Sequence, residues 1–169
     1  MKNIQKLVSA ALLIAVGILL PIVFHSIGGM AVGTLLLPMH LPILIAGALL
    51  GWEYGLLCAI ITPLVSFFTT GMPMLAKLPY MMVELICYGV IIALLYKKTH
   101  KLLISLLAAQ IIGRAVYALL LFATALLFNW QSVSAITVWT AFVTGLPGIA
   151  LQWVLVPLVV SAVKRERCL

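Results

Sequence analysis

The chain has 169 residues, of which 66% are hydrophobic and 8% charged, and its formal net charge is +7. A soluble domain carries about 45–50% apolar and about 25% charged residues, so this composition excludes a soluble globular domain and puts the chain in lipid. A spanning helix needs about 20 apolar residues, so six short-looped spans use most of the length and leave no room for a soluble catalytic domain. The basic residues end apolar runs and form no stripe, so nucleic acid is not an expected partner.

The first helix is expected over 4–24, with Pro21 near its outer end. Lys2 and Lys6 before an apolar run resemble a signal peptide, but the run is long and lacks a small-x-small cleavage site, so an uncleaved helix is expected. Ala11 and Ala15 put two small side chains on one face, a spacing that lets another helix approach closely. That helix can belong to this chain or to a partner. Residues 25–37 carry Gly28, Gly29 and Gly33 and read as a re-entrant or capping loop.

The second helix can begin only near Pro38 or Pro42, since proline suits a first turn and breaks an interior. From there to Leu50 is short for a full span. A turn is expected over 51–55, with Trp52 and Tyr54 as interfacial aromatics. The third helix follows over 55–68, kinked at Pro63, and 69–79 is a second outer loop. The fourth helix is expected over 80–96 and the fifth over 102–128, with a third outer loop over 129–132. The sixth, over 133–163, is longer than a bilayer needs and should tilt or kink at Gly145-Leu146-Pro147-Gly148.

Lys2, Lys6, Lys97, Lys98, Lys101, Lys164, Arg165 and Arg167 fall on one side of this layout, and only Lys77 on the other. The excess of Lys and Arg in cytoplasmic segments then predicts a multi-pass membrane protein with both termini in the cytoplasm. Cys58, Cys87 and Cys168 have no CxxC spacing and read as inert small residues.

Ionisable residues at membrane depth are costly, which makes them functional candidates. His40, Glu84 and Arg114 are three such residues. Glu84 shares a helix face with Tyr80 and Tyr88, and Arg114 shares one with Gln110 and Tyr117. Counted inward from the outer helix ends at about 1.5 Å per residue, Tyr88 and Tyr117 fall at similar depths, and Arg114 falls about 10 Å below Glu84. Glu84 and Arg114 either neutralise each other or leave at least one facing a ligand. His40 opens a helix, where free N–H groups suit a polar or anionic ligand, or it simply donates to a loop carbonyl. Gln152 is a further polar candidate, or an interhelical bond. His25, His40 and Cys58 make no metal site by spacing. There is no Walker A, Rossmann, HExxH or GxSxG motif, so any energised transport needs a partner ATPase.

An ordered set of short matches runs along nearly the whole chain. It comprises Ala11-Leu12-Leu13-Ile14-Ala15, Pro38-Met39-His40-Leu41-Pro42, Thr62-Pro63-Leu64, Thr70-Gly71-Met72-Pro73, Glu84-Leu85 with Tyr88-Gly89, Gly113-Arg114 and Pro147-Gly148-Ile149. With six spans, it resembles the substrate-binding S components of energy-coupling factor (ECF) vitamin transporters, in the branch of pantothenate, folate, pyridoxine and hydroxymethylpyrimidine binders. The resemblance implies an all-α integral membrane bundle of six transmembrane helices, residues 1–169 forming one domain in a bacterial cell membrane. It implies a non-enzymatic, high-affinity binding subunit of an ABC-type vitamin importer, which topples in the membrane to release its ligand inside. By resemblance, Ala11 and Ala15 would contact the coupling protein EcfT, which carries two cytoplasmic ATPases. The chain itself would need no cofactor, ATP and Mg being used by those ATPases. Outer loops would cap the ligand, bringing Met72 to join His40, Glu84, Tyr88, Arg114, Tyr117 and Gln152 as binding residues. A neutral pyridoxine- or hydroxymethylpyrimidine-like ligand is favoured, because Glu84 lies nearer the outer pocket. An MreD-like structural scaffold is the main rival, and a membrane enzyme a second, but neither needs broken helices with buried charge and no catalytic set.

Overall fold

The computed structural model describes residues 3–127 and 143–166, the side chains of 30–34 and 166 excepted. Among the described residues six helices follow in order, with no strand: α1 (Asn3–Leu36), α2 (His40–Leu50), α3 (Trp52–Thr70), α4 (Leu78–Thr99), α5 (Leu102–Leu127) and α6 (Leu146–Glu166). Five of them are long and apolar enough to cross a membrane. The protein is an all-α membrane bundle, as its composition predicts.

The exception in length is α2, whose 11 residues rise about 16 Å, half of the ~30 Å hydrocarbon core. It is apolar all round, so it must be enclosed. It packs on α1, α3, α4 and α6, and Pro42 through Gly47 are all buried. One side, with Ile43 and Ala46, joins Ala10, Met39, Cys58, Ala59 and Leu85. The other, with Leu44 and Ile45, joins Tyr88, Ile92, Leu106, Ala109, Val156 and Val160. Thus α2 is the axis between two halves of the core, and Cys58 lies in one of them as a buried free thiol.

Three glycines let α2, α3 and α4 touch backbone to backbone. A Cβ on Gly55 would lie 2.6 Å from the Gly89 carbonyl oxygen, and one on Gly89 would lie 2.7 Å from that of Gly55. Gly47 meets the same Gly89 carbonyl.

Some sequence boundaries shift. The glycine-rich 25–37 is helical to Leu36 and not a loop, broken only at Gly29 (φ 65°, ψ −165°), a conformation open essentially to glycine. In lipid no water takes up backbone hydrogen bonds, so even a glycine-rich segment closes them internally. The turn expected over 51–55 shrinks to Gly51 (φ 103°), since Gly55 N–H already donates to the Gly51 carbonyl at 3.0 Å. Pro38 stands in the α1–α2 turn and Pro42 in the first turn of α2, as proline requires. Gly71 closes α3 in the left-handed region, and the loop expected over 69–79 is narrowed to 71–77, since α3 runs to Thr70 and α4 starts at Leu78. A turn at Gly145 precedes α6, at the expected kink. The expected loop over 129–132 and the first part of the expected sixth helix, 133–142, lie outside the described residues.

At one end of the bundle Tyr54 Oη donates to the Asn3 carbonyl at 3.5 Å and Lys164 Nζ donates to Tyr96 Oη at 2.6 Å. These contacts gather the start of α1, the α2–α3 turn, the α4–α5 turn and the end of α6. Lys6, Lys97, Lys98, Lys101, Lys164 and Arg165 stand at this basic end, and Lys77 caps α4 at the other.

Candidate ligand-binding site

Glu84 comes from the N-terminal half of α4, with Tyr88 one turn on, and is 2% exposed. A bare carboxylate there would be prohibitive, so it gathers partners. Tyr88 Oη donates to Glu84 Oε1 at 3.0 Å. Arg114 Nε, from α5, lies 3.2 Å from the same oxygen. His40 Nε2, from the first residue of α2, lies 3.7 Å from Oε2. The His40 and Tyr88 rings meet edge to face at 5.3 Å. Three helices therefore converge on one carboxylate, with Tyr88 and Arg114 on Oε1 and the His40 ring standing near Oε2 beyond hydrogen-bond distance.

The direct Glu84–Arg114 pair is present, and the expected 10 Å offset is not. Depth has to be counted from the tight turn that joins α4 to α5. From that turn Glu84 stands only three residues higher than Arg114, about 4.5 Å, which an arginine side chain covers. From the same turn Tyr88 and Gly113 are level, and a Cβ on Gly113 would collide with the Tyr88 ring. Gly113-Arg114 thus works as a unit: the glycine admits the tyrosine and the arginine reaches past it. Tyr117 lies a turn beyond and pairs with Tyr80 instead of Tyr88, ring centroids 6.3 Å apart, while Tyr80 Oη donates to Thr124 Oγ1 at 2.9 Å.

The cluster holds polar atoms without partners. Arg114 Nη2 and both His40 ring nitrogens are buried without a hydrogen-bond partner, and Arg114 Nε, though close to Glu84, lacks hydrogen-bond alignment. Gly145 is the contact that sequence reasoning missed. A Cβ there would collide with Arg114 Nη2 and lie 3.1 Å from Leu37 Cδ1. A Cβ on Gly148 would lie 2.7 Å from the Leu36 carbonyl. These glycines bring the start of α6 over the guanidinium, where the sequence suggested only a kink. An arginine at depth facing a Gly-x-x-Gly run was the available signal.

The remaining candidates stand apart. Gln152 accepts from Gln110 Nε2 at 2.9 Å, and Trp153 Nε1 donates to Gln110 Oε1 at 2.7 Å. This is the interhelical reading of Gln152, although its own Nε2 is buried and unpartnered. Met72 lines an open cleft of about 280 Å³ with Pro21, Ile22, His25, Ser26 and Thr70, away from Glu84. Among the described residues no three of His, Cys, Asp and Glu gather to hold a metal.

The two small-residue faces of α1 separate cleanly. Ala10 and Gly17 face the bundle, with Cys58 Sγ 3.8 Å from the Ala10 carbonyl and Gly17 against Thr62. Ala11 and Ala15 lie on the exposed side with Leu7, Leu12, Val16 and Leu19. No helix of this chain covers them among the described residues.

Among the described residues, five helices long and apolar enough to span, packed around a buried half-length helix and a charged cluster, define a multi-pass membrane protein. Compared with protein families, residues 5–160 match the substrate-specific component of ECF transporters. The chain belongs to that family and is a substrate-binding transporter subunit, not an enzyme; ATP hydrolysis falls to partner subunits. Comparison with curated proteins and with solved structures finds no match.

Proposed function

We propose that this subunit binds a water-soluble vitamin or vitamin precursor at high affinity beside Glu84, Arg114, His40 and Tyr88. The observation that carries the reading is the Arg114 guanidinium, paired to Glu84 through Nε yet with Nη2 buried and unpartnered. An unused charged donor at depth is costly unless a ligand takes it up. Because Tyr88 donates to Glu84 and Arg114 pairs with it through Nε, the carboxylate is already served within the chain, and the group left over is the cationic Arg114 Nη2. This moves the preferred ligand from a neutral pyridoxine- or hydroxymethylpyrimidine-like alcohol held by Glu84 to an anion held by Arg114. Pantothenate is the simplest vitamin of that kind in the suggested branch, and folate is a larger one. Tyr117, Gln152 and Met72 contribute only if the bound state draws them in.

Ala11 and Ala15 supply the face for EcfT, which carries the two ATPases. The support is that this face is exposed and small while the bundle is closed by the opposite side of α1. A second coupling surface is not needed.

Mass spectrometry of ligand released from the purified protein, followed by calorimetry with pantothenate and pyridoxine, tests the reading. Pantothenate should bind to wild type and about 10- to 100-fold more weakly to Arg114→Ala. Tight pyridoxine binding that survives Arg114→Ala and is lost in Glu84→Gln would overturn the anion assignment.

A further inference from the structure

A second cleft opens at the basic end, far from Glu84. Its volume is about 500 Å³, and Tyr96, Leu102, Pro157, Val160, Ser161, Lys164 and Arg165 line it. These residues come from the end of α4, the start of α5 and the last turns of α6. Leu102, Pro157 and Val160 make an apolar floor, and two cations stand at its mouth.

The cations are arranged, not scattered. Lys164 Nζ donates to Tyr96 Oη at 2.6 Å and sits 4.3 Å from the centre of the Tyr96 ring. That holds the ammonium at the edge of the cleft. Arg165 has no ion-pair or hydrogen-bond partner among the described residues. Glu53 is the only carboxylate with a described side chain at this end, in the first turn of α3. It stands against the cations Lys6, Lys97, Lys98, Lys101, Lys164 and Arg165.

We propose that this cleft is a binding site for one anionic phospholipid, its phosphate held by Lys164, Arg165 and the Tyr96 hydroxyl, its acyl chain lying over Leu102, Pro157 and Val160. Charge complementarity selects the headgroup: the positive-inside asymmetry turns this end toward the leaflet rich in anionic lipid, and basic pockets between helices at that depth suit such headgroups. The apolar floor selects a lipid over a free phosphate, which would leave it uncovered. The site lies across α4, α5 and α6, so an occupant would tie the α4–α5 turn to the end of α6. The proposal is independent of the vitamin reading.

The test uses the whole chain in a neutral detergent, with dioleoylphosphatidylglycerol or dioleoylphosphatidylcholine added and bound lipid read by native mass spectrometry. Phosphatidylglycerol should bind with 1:1 stoichiometry and phosphatidylcholine should not. Each basic residue near the surface contributes about 1 kcal/mol, so Lys164→Gln with Arg165→Gln should weaken binding about 30-fold. Lys97→Gln with Lys98→Gln, which do not line the cleft, should weaken it clearly less. Ser161→Trp fills the cleft from an exposed position and keeps both cations, and it too should abolish binding. Equal binding of the two lipids would overturn the proposal, as would equal loss in both lysine-containing double variants. So would competition by glycerol phosphate at the affinity of the lipid, which would mark a free-phosphate site. Monodisperse elution and an unchanged melting temperature show that each variant has folded.

Discussion

Glu84 and Arg114 are partners of unequal dependence. Glu84 is met by three groups, while Arg114 is met by Glu84 alone among the described charges. Glu84→Ala therefore strands a buried cation, and stranding one member of a buried pair costs about 3–5 kcal/mol. Arg114→Ala leaves the carboxylate with Tyr88 and His40 and should cost less. Ligand affinity should rank the other way. Losing a charge-assisted hydrogen bond from Arg114 should weaken pantothenate by about 10- to 100-fold. Thermal unfolding of the empty protein and calorimetry on the same samples give both rankings, and identical rankings in the two assays would mean the pair is structural. Two glycines allow a finer comparison. In Gly113→Ala the new methyl meets the packed Tyr88 ring, whereas in Gly145→Ala it meets the movable end of Arg114. Overpacking costs about 1–3 kcal/mol, so Gly113→Ala should lower the melting temperature and Gly145→Ala should chiefly lower affinity. The reverse pattern would remove Gly145 from the site.

At the scale of the helix, α1 has one face in the bundle and one exposed. Its bundle face uses Ala10 and Gly17, and its exposed face carries Ala11 and Ala15. Ala11→Trp with Ala15→Trp should leave ligand binding within about twofold, because both side chains are exposed among the described residues, yet abolish uptake by blocking close helix approach. Uptake assays in cells, beside calorimetry on the purified double variant, measure both. Normal uptake would free that face from coupling. Helices were legible in the sequence wherever apolar length and proline placement agree, as at Pro42 and at the apolar runs of α4 and α5. The glycine-rich part of α1 was misjudged because glycine signals a loop in water, and in lipid the backbone has no such option. Glu84, Arg114 and His40 could be picked out as buried charge, but their convergence could not. It depends on the α4–α5 turn setting the register and on Gly113 admitting Tyr88, and both are relations between helices. The same limit hid Gly145, whose value lies in what it lets Arg114 do. It also left Tyr117 beside the wrong tyrosine, since depth from the outer ends ignores the reach of α5 past the start of α4.

At the scale of the whole molecule, one end is basic and, among the described residues, the other carries Lys77 alone of the lysines and arginines outside the spans. The basic end collects the start of α1 and the end of α6, so these two helix ends emerge on the same face. Basic segments resist translocation, so that face should be cytoplasmic. The chain offers its own reporter. Cys168 follows α6, while Cys58 is buried and Cys87 half-buried in the bundle. In a Cys58→Ala, Cys87→Ala background, a membrane-impermeant maleimide should leave Cys168 unlabelled in intact cells and modify it fully after permeabilisation. Lys77→Cys, in the loop before α4, should show the opposite behaviour and react in intact cells. Labelling of Cys168 from outside would invert the protein. It would turn the Glu84 cluster toward the cytoplasm, where a binding subunit for import could not collect its ligand. It would also remove the anionic leaflet from the Lys164–Arg165 cleft.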